Sequence, residues 1–177
     1  MDDFLKRVAG GERNFGQIVL VRVELPGARL RLMNFSKAQL TDVNRRGADL
    51  TRANFTEAKF VQVRLGGAHL FMANFFNAHL AGTDFSGSNL HGASFQGANL
   101  SNADLRAVHL TVANLRGANL SGASLRGAHL TEADFRRANL AGADLTEIIA
   151  PKTNFEGADL HWAKLPEDWD LLGANGS

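Results

Sequence analysis

An all-β chain wound as a four-sided β-helix and closed by short helical caps is the fold this sequence predicts, on three regularities. The first is a large apolar residue at every fifth position. Of the 31 positions in this register from Phe15 to Leu165, 29 are Leu or Phe, and only Arg45 and Ala150 depart from it. Neither an α-helix nor an alternating strand has a period of five, so the repeat belongs to a solenoid whose units bury their apolar residue by stacking on neighbours. The second is a small residue two places earlier. Ala fills 20 of those 30 places from Ile18 to Ala163, as in Ala98-Asn99-Leu100-Ser101-Asn102, which pairs one large and one small side chain per unit in a narrow interior. The third is a period of twenty. Phe15, Phe35, Phe55, Phe75, Phe95, Leu115, Phe135 and Phe155 form one column, while the other three columns together hold only Phe60 and Phe85. Residues twenty apart therefore lie above one another, and four units complete a coil.

Taken in order, residues 1–13 form an N-terminal helical cap. Asp2 and Asp3 suit the positive end of a helix, Lys6 and Arg7 its later turn, and Gly10-Gly11 end it. Phe4, Leu5 and Val8 are expected to cover the first coil. Residues 14–165 form the β-helix, about seven to eight coils rising roughly 4.8 Å each. Gly recurs at the corner (Gly82, Gly87, Gly92, Gly97), where positive φ is tolerated. Arg45 occupies a core position, and desolvating a lone guanidinium costs several kcal/mol. The wall around Asn44-Arg45-Arg46-Gly47 is therefore expected to deform and turn Arg45 outward, making with Arg46 a basic bulge that could dock an anion or acidic surface. Ala150-Pro151 is expected to be a second local distortion. Residues 166–177 form a C-terminal cap and tail: Pro166 opens a short helix, and Trp169, Leu171 and Leu172 fold over the last coil.

Units such as Ala113-Asn114-Leu115-Arg116-Gly117 and Ala143-Asp144-Leu145 resemble those of the pentapeptide repeat family. The resemblance covers about residues 14–165, and the lead-in Ala9-Gly10-Gly11-Glu12-Arg13-Asn14-Phe15 is similar to the opening of many cyanobacterial members. It implies a right-handed quadrilateral β-helix, in which the repeats are scaffold and the exposed positions carry function. It also implies two classes of activity: modulation of a regulatory protein, or mimicry of DNA toward a topoisomerase such as gyrase. Family precedent raises a homodimer through the C-terminal end as an alternative to capping alone.

Composition narrows these classes. The 177 residues make one domain, and the absence of Cys excludes a disulfide framework or a thiolate site. The N-terminus lacks the order of a signal peptide, and no apolar run approaches a membrane span, so a cytoplasmic location is expected. A DNA mimic needs dense negative charge, whereas 19 Lys and Arg against 18 Asp and Glu leave a net charge of +1. No wall carries a basic stripe with interleaved aromatics, so nucleic acid is not an expected partner either. Catalysis needs groups converging in a concave pocket, which a filled rod with flat walls does not offer, and no cofactor is implied.

A non-catalytic scaffold that binds a protein partner remains, and its candidate contacts are the outward residues that break the polar pattern. Phe71, Met72 and Phe76 surround one corner, His91 stacks beside Phe71, and Leu32 and Val112 share the corner row of Met72. A contiguous exposed apolar group marks a contact surface. Arg116 and Arg136, on a wall near Asp134 and Glu156, are the further candidates. His69, His109 and His129 share one column, but they occupy an outward polar row with Asn89 and Ile149 and no carboxylate, so no metal is expected.

Overall fold

The computed structural model describes residues 2–167 and Trp169. It opens with α1, Asp2–Ala9. Gly11, at φ +90°, ends the helix, as the glycine pair predicted. Phe4 is buried with its ring 4.8 Å from Phe15, edge to face, and Val8 packs half-buried beside it. Leu5 does not join them: it is 40% exposed, because the helix presents only its Phe4–Val8 stripe to the first coil.

From there the chain pairs with itself at an interval of twenty. Parallel bridges join Asn14 to Asn34, Asn34 to Asn54 and so on to Asp144 and Lys164. Where the extended segments are longer they form β1 (Val19–Glu24), β2 (Gln39–Asn44) and β3 (Lys59–Val61), a parallel sheet in that order with Leu20 opposite Leu40 and Leu40 opposite Phe60. Elsewhere a two-residue turn follows each central residue, closed by bonds such as Ala38 N–H to the Phe35 carbonyl at 3.0 Å. Its second residue takes a positive φ, as at Gly97 (+69°) and Asn77 (+52°).

The bore is filled by the central residues and the small residues two before them. The phenylalanine column stacks as its spacing predicted, with rings 5.2 Å apart between Phe35 and Phe55, 5.0 Å between Phe55 and Phe75, and 4.7 Å between Phe75 and Phe95. Outside, an Asn or Asp that precedes a central residue accepts the backbone N–H two places on. Asn34 Oδ1 receives Ser36 at 3.0 Å, Asn74 Oδ1 receives Phe76 at 3.0 Å, and Asp144 Oδ1 receives Thr146 at 3.1 Å. These bonds satisfy turn donors that have no backbone partner.

The same bond explains the prolines. Pro26, Pro151 and Pro166 each follow a central residue, the position whose N–H the Asx oxygen would receive, and the preceding outward residue is Glu24, Ile149 or Lys164 rather than Asn or Asp. Proline therefore costs no hydrogen bond there. The expected distortion at Ala150-Pro151 is absent. Leu130 N–H reaches the Ile149 carbonyl at 2.7 Å and Glu132 N–H the Pro151 carbonyl at 3.0 Å, so the ladder runs through. Ile148 and Ala150 are both buried, the large residue having moved to the small position, which keeps the interior filled.

At the far end Leu160 is half-buried, Leu165 is 39% exposed, and the Trp169 ring lies 5.0 Å from Phe155, over the last aromatic of the column. Leu171, Leu172 and any dimer contact beyond them lie outside the described residues. Among the described residues no helix is long and apolar enough to cross a membrane.

Candidate functional site

The wall on which a side chain lies follows from the turn geometry. A residue just after the centre reaches back to the outward residue just before it: Thr56 Oγ1 donates to Asn54 Oδ1 at 2.7 Å and Ser86 Oγ to Asp84 Oδ1 at 2.6 Å. Phe71 therefore shares a wall with His69, Phe76 lies on the next wall with Asn74, and Met72 forms the corner between them.

The structure brings Phe71 and His91 together face to face, their rings 5.3 Å apart and inclined by 8°. Phe71 lines a groove of about 470 Å³ with His69, Asn89, His91 and His109. Met72 is 47% exposed, with its sulfur 3.8 Å from Arg52 Nη2. Phe76 is 37% exposed and has no aromatic partner among the described residues, so the group is a stacked pair, a corner and a separate ring on two adjacent walls. Leu32 and Val112 are exposed along the Met72 row. Val112 holds φ at +52°, a left-handed conformation that is sterically costly for a β-branched residue.

His109 and His129 stack with rings 4.7 Å apart. Rings lying flat on one another do not aim their nitrogens at a common point. Among the described residues no three His, Cys, Asp or Glu converge as metal ligands.

Arg116 and Arg136 lie on the Phe76 wall, two and three coils further along, and line a groove of about 370 Å³ with Arg137, Glu156 and Gly157. Arg136 clamps Asp134 through Nε at 2.9 Å and Nη2 at 2.6 Å, and this bond holds the Asp134 carboxyl below the usual carboxylate range. The Arg106 guanidinium does the same for Asp104 from 2.6 Å. Neither Arg116 nor Arg137 makes a side-chain hydrogen bond or ion pair among the described residues.

The basic bulge does not form. Arg45 is fully buried, and its backbone N–H keeps its place in the ladder, 2.8 Å from the Arg64 carbonyl. The side chain stays in the bore with its guanidinium 4.6 Å over the Phe35 ring, and none of its three nitrogens has a hydrogen-bond partner. Turning it outward would break coil-to-coil bonds and open the apolar interior on both sides, while the Phe35 face gives the cation partial compensation for lost water. Burial pushes the Arg45 guanidinium down to about 9. Arg46 alone faces solvent, where it binds Asp84 at 3.0 Å.

The family profile described as pentapeptide repeats matches this chain in 8 copies, over residues 34–70, 73–111 and 113–149. The chain belongs to the pentapeptide repeat family. Among solved pentapeptide repeat proteins it is similar to HetL, involved in heterocyst differentiation regulation in the cyanobacterium Nostoc sp. strain PCC 7120. The two are 30% identical over 94% of this chain and 93% of that one, with a TM-score of 0.35. A pentapeptide repeat protein of the Arabidopsis thaliana thylakoid lumen is 32% identical over 62% of this chain and 67% of its own, with a TM-score of 0.30. The plasmid-mediated fluoroquinolone resistance protein QnrB1 is 23% identical over 90% and 96%, with a TM-score of 0.40. Among curated proteins nothing matches. The repeats bury their Leu, Phe and Ala columns, which leaves the outward rows as the exposed surface.

Proposed function

We propose that this pentapeptide repeat protein is a non-catalytic scaffold, a right-handed quadrilateral rod that binds and modulates a regulatory protein in the cytoplasm. The observation that carries the reading is the exposed apolar group: Phe71 stacked on His91, Met72 at the corner and Phe76 on the next wall, in rows otherwise dominated by polar residues and glycine. Removing such anchors from water on binding supplies most of an interface's energy, on the order of 2 kcal/mol or more each. Mimicry of DNA has less support, because the net charge is +1 and the carboxylates of Asp104 and Asp134 are already bound by arginines.

The test is a double substitution, Phe71→Ser with Phe76→Ser, which leaves the bore untouched. A partner captured from source cells by the wild type should be lost by the variant while circular dichroism and melting stay unchanged. Equal capture by both proteins would remove this group from the interface.

A further inference from the structure

Phe76, Gln96, Arg116 and Arg136 occupy one row on one wall, each a coil beyond the last. We infer that this row is the docking track for an amphipathic helix of the partner, lying along the rod with an apolar residue on Phe76 and a carboxylate seven residues away on Arg116. This rests on the scaffold reading above and specifies the chemistry of its partner.

Two observations carry it. The first is charge. Between Phe76 and Arg116 the wall presents Asn74, Ser94, Gln96 and Asn114, with no carboxylate. Arg116 and Arg137 have no side-chain partner among the described residues, and Asp134 is held by Arg136. The cationic stretch ends at Glu156, one coil beyond Arg136, so an incoming acid finds its complement at the level of Arg116 to Arg137. The second is spacing. Two coils rise about 9.6 Å, and seven residues of α-helix rise about 10.5 Å. A helix laid along the axis thus returns the same face to the wall about once per coil, at three- or four-residue intervals.

The probe is a fluorescein-labelled helical peptide of about eighteen residues with Leu and Glu seven apart, made in both sequence orders. Control peptides move Glu two residues along, which turns it to the far side of the helix, or replace it with Lys. Anisotropy at low salt should show binding by at least one order, with at least tenfold loss for Phe76→Ser and for the pair Arg116→Glu with Arg137→Glu. The Lys peptide should regain binding on that charge-reversed pair. Loss with Phe76→Ser but none with the charge-reversed pair would overturn the acidic-helix assignment and leave the apolar docking reading standing. Indifference to both variants, with Phe71→Ser also silent, would overturn both. Absence of binding by every peptide up to millimolar concentration would overturn the track itself.

Discussion

Arg45 is the one charged side chain buried among the described residues, and its surroundings set a measurable cost. A guanidinium with a ring face and no hydrogen-bond partner has lost most of its hydration without full replacement. Arg45→Met keeps a long unbranched side chain and removes the charge, so it is expected to stabilise the fold by about 2–4 kcal/mol in urea melts at neutral pH. A less stable variant would mean that Arg45 makes compensating bonds. The pH dependence has a definite sign. The folded group titrates near 9, below its ordinary value in the unfolded chain. Below that pH both states are charged and the native state carries the whole penalty. Above it the folded form releases its proton first, the unfolded chain binds more protons, and stability rises. The advantage of Arg45→Met should therefore shrink between about pH 8 and pH 11; a constant gap would contradict it.

Where Asn or Asp precedes the centre, its oxygen locks the turn of the five-residue unit, and this is where sequence and structure part. The period of five located every buried column, and the period of twenty located the stacked rings, because both depend only on which side chains are apolar. The desolvation penalty alone puts Arg45 outside the bore, whereas the ladder bonds that deforming the wall would sacrifice keep it inside. The repeat alone puts Phe71 and Phe76 on adjacent walls of one corner; the turn geometry adds that a residue after the centre leans back toward the one before it. The preference for Asn and Asp was visible as a pattern, but its reason is a hydrogen bond to a turn N–H. That bond yields a prediction at acid pH. Asp104 and Asp134 are held below the usual carboxylate range by Arg106 and Arg136, so their contribution is present above about pH 4 and is lost as pH falls through their folded values. Asp104→Asn with Asp134→Asn keeps the Asx acceptors and removes the titration. Thermal melts of this variant should fall less steeply between pH 5 and pH 2 than those of the wild type. Parallel curves would show that other groups dominate.

Among the described residues the backbone of each coil bridges only to the coil before and the coil after, in a register that never changes. Removing Ala81–Leu100 joins Leu80 to Ser101 and leaves every surviving residue on its own wall, with Leu115 seated on Phe75. That shortened protein is expected to fold with one cooperative transition and reduced stability. Removing eighteen residues from the same place would slide small residues onto central positions and large ones onto the exposed corner, and should give no folded protein by circular dichroism. A comparable loss in both would deny that the coil is the interchangeable part. The parallel pairing thus makes length a quantity that changes only in whole steps: a duplication or excision of one coil moves two surface features apart or together along the axis while every interior residue keeps its column. In such a lineage the distance between recognition groups can vary before any side chain does.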